Sequence, residues 1–123
     1  MSERTAFGKT IDRFQSLRHT YAECETQMEI CKQFNYYVAK RMDIGDYVVK
    51  EATMSKLQST KMADDVIYQC LQFLGGYGYM EEYPMARLAR DSRLGPIGGG
   101  TSEILKEIIA KMSIDNKDYK PAT

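Results

Sequence analysis

From Phe14 onward, Phe14, Leu17, Tyr21, Cys24, Met28, Cys31, Asn35, Val38 and Met42 recur at alternating spacings of three and four. That period is the seam of a helix bundle. Only Asn35 breaks the apolar stripe. The residues between, among them Arg18, Glu23, Glu25, Glu29, Lys32 and Lys40, form a solvated face with some Glu-to-Lys support along it. One long helix is predicted, ending near Asp43-Ile44-Gly45-Asp46. A second, from about Tyr47 to Leu74, carries Val49, Ala52, Ser59, Ala63, Val66, Cys70 and Phe73 near the same spacing, flanked by Leu57, Ile67 and Leu74. Its small middle residues let a neighbouring helix approach closely, and it stops at Gly75-Gly76-Tyr77-Gly78, where glycine supplies positive φ and room for another backbone.

A short helix is expected from Pro84 to about Arg93, proline being favoured in a first turn. Gly95, Pro96, Gly98, Gly99 and Gly100 then enforce a loop. The last helix opens at Thr101-Ser102-Glu103, with hydroxyls to cap it and an acid in its first turn, and Ile104, Leu105, Ile108, Ile109 and Met112 share one face. The polar tail after Ser113 is expected to fray. The prediction is one all-α, up-down helical domain over residues 1–113 with a tail at 114–123, and no repeat, linker or second domain.

Composition narrows the function classes. Lys plus Arg and Asp plus Glu balance at 17 each, so no broad field draws nucleic acid or an anionic membrane surface, and any anion must be held locally. No apolar run approaches the roughly 20 residues of a spanning helix, and the opening MSERTAFGK has no signal-peptide core, so a cytoplasmic protein is expected. Cys24, Cys31 and Cys70 are an odd number without CxxC spacing, and read as small buried apolar residues rather than disulfides or zinc ligands. The single histidine, His19, has no Glu-x-x-His pattern beside it and reads as a helix-surface residue. No metal site is expected.

Two glycine clusters and one arginine could carry chemistry. GPIGGGTSE puts consecutive glycines before a helix N-terminus, where unpaired N–H groups and the helix dipole can receive an anionic or carbonyl oxygen, although a flexible loop before a capped helix looks the same locally. QFLGGYGYMEEYP by itself reads as a C-cap and tight packing point. Arg4, in ERTAFGK, could pair a phosphate through its rigid fork of donors or simply face solvent. Gln15 could bond a ligand or water.

Taken in order, ERTAFGK, a helix opening FQ, QFLGGYGYMEEYP, ARLARDSR and GGGTSEI resemble the C-terminal helical domain of the acyl-CoA dehydrogenases from Glu3 to about Met112. The domain's first helix, upstream of Arg4, would then be lacking. The resemblance implies an FAD enzyme that oxidises an acyl-CoA thioester: a carboxylate takes the α-proton, a hydride leaves the β-carbon for the flavin, and an electron-transfer partner reoxidises it. It also implies that Arg4 and Phe7 lie against the diphosphate end of a neighbouring subunit's FAD, with Gln15 matching the family's glutamine nearby. Gln72, Phe73, Leu74, Gly75 and Gly76 match the segment that approaches the adenosine end, again across a subunit interface. Thr101, Ser102 and Glu103 match the stretch that contacts FAD after the catalytic loop.

One departure stands out. Many family members read Tyr-Glu-Gly-Thr where this chain reads Gly98-Gly99-Gly100-Thr101. Gly99 occupies the usual place of the catalytic glutamate and cannot take a proton, so no catalytic residue is assigned. The loop is closest to members of the long-chain and isovaleryl type, which take their base from a preceding helix, and the two missing side chains leave room for a long or branched acyl group. A family member that has lost dehydrogenation fits the same residues.

The expectation is therefore a fragment that is inactive by itself and does not retain FAD. Its uncovered first-helix stripe is expected to drive self-association into a homo-oligomer, a dimer or tetramer. A free-standing helical interaction module is the competing reading, and an oxidase or flavin monooxygenase relative a third.

Overall fold

The computed structural model describes residues 1–119. The chain opens with a small antiparallel hairpin, β1 (Thr5–Ala6) and β2 (Lys9–Thr10), paired Thr5 to Thr10 and Ala6 to Lys9. Its turn is Phe7-Gly8, and both residues have positive φ, 52° and 78°, the mirror-image turn that matches strand twist. A single 3-10 turn, Ile11–Arg13, leads into α1 (Gln15–Asp43), and α2 (Val49–Leu74) returns alongside it. Then come α3 (Gly76–Tyr79), α4 (Pro84–Ser92) and α5 (Ser102–Ser113).

The reversal after α1 is set by Gly45 at φ +83°, whose conformation lets the Asp46 and Gly45 N–H groups bond back to the Arg41 and Met42 carbonyls, both at 3.0 Å. Arg41 Nε reaches the Asp46 carboxylate at 2.7 Å and its Nη1 the Tyr37 hydroxyl at 3.0 Å, which together hold the guanidinium more firmly charged than usual. The α2 helix is the hub, packing against α1, α3, α4 and α5.

Along the α1 seam only Cys24, Cys31 and Val38 are buried, joined in the core by Ile11, Val48, Val66 and Leu105. Tyr21, Met28 and Met42, on the same predicted stripe, are 52%, 41% and 58% exposed, because α2 covers only one flank of α1. Asn35, the polar break, accepts hydrogen bonds from the Ser55 and Ser59 hydroxyls of α2, so the small residues of α2 bond to it as well as allowing close approach. Cys70 is half-buried, and burial raises the Cys24 thiol pKa, keeping it neutral.

Besides the hairpin, two elements differ from expectation. Gly76–Tyr79 forms a helical turn rather than open loop, because buried Gly78 lies so close to α2 that a Cβ there would meet the Leu71 carbonyl oxygen at 2.6 Å. The expected tail falls within the described residues only as far as Tyr119. There the Lys117 N–H bonds the Lys111 carbonyl at 3.1 Å, and the Tyr119 carbonyl accepts from the Tyr47 hydroxyl, so this stretch folds back onto the α1–α2 corner.

Candidate functional site

The hairpin brings Arg4 to the carboxyl end of α2. Its Nη1 donates to the Phe73 carbonyl at 3.5 Å, where a helix leaves carbonyls without internal partners and a cation is favoured. The guanidinium lies directly over Gly75: a Cβ built there would collide with Nη1 and come within 3.1 Å of Cζ. Gly75 sits at φ +58°, a conformation side-chain-bearing residues rarely adopt, so the backbone calls for glycine here, whereas the exposed guanidinium could swing aside from an added Cβ. Gln72 and Gly76 are exposed beside it.

Phe7 is held at the hairpin tip with φ 52° and 95% of its surface exposed. Its ring makes one edge contact, with Phe14 at 6.3 Å, and Lys9 Nζ lies 4.4 Å over the Phe14 ring. A bulky residue in that region of φ is a genuine outlier. Gln15 is the exposed first residue of α1, and Phe14 before it provides no side-chain cap. The leading N–H groups of a 29-residue helix are therefore open at this end, beside the Phe14 ring that Lys9 covers. The hairpin end thus gathers an arginine, an exposed ring, an uncapped helix start and a glycine backbone, a combination suited to a phosphate-bearing ligand with an aromatic portion.

Thr101, Ser102 and Glu103 are elsewhere. Thr101 caps α5, its hydroxyl accepting from the Ile104 N–H at 3.4 Å, and the Ser102 N–H bonds the Pro96 carbonyl at 3.0 Å. The Glu103 carboxyl is held below its usual pKa, first by its own backbone N–H and then by the Thr101 hydroxyl. Its first-turn position accounts for this, and no substrate-facing base is needed to explain it. Lys56 of α2 anchors the preceding loop, donating to the Gly98 carbonyl at 2.7 Å and to the Gly100 carbonyl. Arg93 ties the same region to α2 through Asp64 at 2.6 Å.

The predicted site residues therefore fall into two groups. Arg4, Phe7, Gln15 and Gln72 to Gly76 gather at the carboxyl end of α2, while Thr101 to Glu103 lie beside its amino-terminal half. Lys56 and Gly75 are nineteen residues apart, roughly 28 Å at 1.5 Å per helical residue. Composition and spacing alone did not bring out the hairpin, the Arg93–Asp64 pair or Lys56.

A model of the acyl-CoA dehydrogenase C-terminal domain matches residues 1–114. The long-chain specific acyl-CoA dehydrogenase of mouse mitochondria is 37% identical over 121 residues, covering 94% of this chain and 27% of its own length. A crystal structure of acyl-CoA dehydrogenase from Geobacillus kaustophilus superposes with a TM-score of 0.89 at 40% identity, over 90% of this chain and 29% of that one. The FAD complex of PigA does so with 0.85 at 29% identity, over 89% and 29%. The chain belongs to the acyl-CoA dehydrogenase family, as its C-terminal helical domain, and spans about a quarter of the length of the curated relatives it matches. Among the described residues no helix is long and apolar enough to cross a membrane.

Proposed function

We propose that this domain contributes FAD and subunit contacts to an FAD-dependent acyl-CoA dehydrogenase, with its two residue groups serving two different flavins. The carrying observation is their separation along α2. Arg4, Phe7, Gln15 and Gln72 to Gly76 form one half-site, for the diphosphate and adenosine end of a flavin held mainly by a neighbouring subunit. Thr101, Ser102 and Glu103 form the other, facing the flavin of the domain's own subunit at a helix N-terminus. FAD supplies the hydride-accepting ring when bound; this chain's residues hold and orient it.

Gly99 leaves the glycine loop without a base, so deprotonation of an acyl-CoA belongs to a carboxylate on a helix preceding these residues, and Gly98 and Gly99 leave space for a long or branched acyl chain. The exposed Tyr21, Met28 and Met42 of α1 support association with other helices, in a dimer or tetramer. Passage of electrons to a separate acceptor protein belongs to the whole enzyme.

Titration of FAD into the chain, followed by flavin fluorescence, tests the reading. Weak, saturable quenching that disappears in an Arg4→Ala/Gln72→Ala variant is expected. A stoichiometric yellow complex stable on gel filtration would show that one chain forms a complete site. Quenching unchanged by the variant, or none with either protein, would remove the hairpin half-site.

A further inference from the structure

The glycine loop is held by a half-buried lysine. Two carbonyl acceptors explain how the Lys56 ammonium is satisfied away from water. The consequence for the loop follows from peptide geometry. Peptide groups are planar and none among the described residues is cis, so each carbonyl points opposite to the N–H of the next residue. Drawing the Gly98 carbonyl toward α2 turns the Gly99 N–H away from it, and drawing the Gly100 carbonyl turns the Thr101 N–H away.

Among the described residues neither of those N–H groups donates to a backbone carbonyl, whereas the Gly98 and Ser102 N–H groups on either side are taken by Leu94 and Pro96 at 2.7 and 3.0 Å. Outside the loop there is space: a Cβ on Gly99 would meet nothing within 4 Å. Gly99 and Gly100, at φ +61° and +96°, permit the path that lets one ammonium take both carbonyls. A charged donor on each carbonyl also polarises the peptide and strengthens its N–H.

We propose that Lys56 is a positioning residue that orients the Gly98–Gly99 and Gly100–Thr101 peptides, so that the Gly99 and Thr101 N–H groups form a pair of donors on the open side of the loop. That they face a ligand oxygen there rests on the function proposed above; that Lys56 sets their direction does not.

Residual dipolar couplings on the ¹⁵N-labelled chain read the N–H axes of folded molecules, and NOEs from each amide proton tell which end of its axis faces α2. In the wild type, both vectors are expected to point away from α2. In Lys56→Arg, which keeps a charged donor, the couplings stay; in Lys56→Met, those of Gly99 and Thr101 collapse while the couplings within α2 and α5 persist. A lysine that only stabilises the fold would shift the melting temperature and leave those directions unchanged, and unchanged couplings in Lys56→Met overturn the proposal. Should that variant not fold, wild-type vectors pointing toward α2 overturn it alone. Adding FAD to the same sample separates the two claims: loss of any FAD-induced shift at both ends of α2 counts against the proposed function, while the couplings still decide the role of Lys56.

Discussion

The two ends of α2 solve similar problems in opposite ways. At its carboxyl end the cation comes from outside: Arg4, carried on the hairpin, bonds the Phe73 carbonyl and lies over Gly75. Beside its amino-terminal half the cation comes from the helix itself, Lys56 reaching out to two loop carbonyls. Arg4 is exposed and keeps donors free for a ligand, whereas Lys56 is half-buried and committed to the loop. The difference separates a residue placed to bind from one placed to shape backbone, though both are basic residues beside glycines.

Substitutions sharpen this comparison. The largest loss is expected for Gly78→Ala at the carboxyl end, since the new Cβ meets the Leu71 backbone at 2.6 Å; about 2–3 kcal/mol should be lost in urea unfolding. Gly75→Ala should cost about 1–3 kcal/mol for its backbone conformation, nearly the same in an Arg4→Ala background, because the exposed guanidinium can swing aside. A strong coupling in the double-mutant cycle would show that the guanidinium is held rigidly over Gly75.

Beside the amino-terminal half, Lys56→Met leaves the Gly98 and Gly100 carbonyls without their donor and should cost about 1–2 kcal/mol, with no loss of any FAD-induced response at Gly75 and Gly76. Thr101→Ala removes the cap of α5 at about 1 kcal/mol, read by thermal melting. The smallest effect concerns pH. Glu103 has a lowered folded pKa, so its contribution is present above the ordinary carboxylate range near 4.5 and lost as pH falls through the folded value. Glu103→Gln should therefore flatten the acid limb of the stability curve slightly; a steeper limb would contradict the assigned contacts.

The long helices were legible because their apolar period persists for many turns. Lys56 was legible in principle: positions 49, 52, 59, 63, 66, 70 and 73 of the α2 stripe leave a gap that 56 fills, but an apolar count passes over a lysine. The hairpin escaped because two-residue strands are too short to alternate, and its turn is Phe-Gly rather than the usual Asn-Gly. Helix α3 escaped because GYGY reads as a breaker until Gly78 is seen against Leu71. The meeting of Arg4 with Gly75 joins segments some seventy residues apart, which no local spacing encodes; the family resemblance set both segments against FAD without pairing them.

The central claim, that the two half-sites serve different flavins, is tested most directly by subunit mixing. An Arg4→Ala/Gln72→Ala chain and a Thr101→Ala/Glu103→Ala chain are combined, and FAD quenching is compared with that of each alone. In a two-fold assembly, half-sites shared between chains regenerate an intact composite site, so the mixture should bind FAD more tightly than either variant by itself. A mixture that binds no more than its separate components would contradict the account.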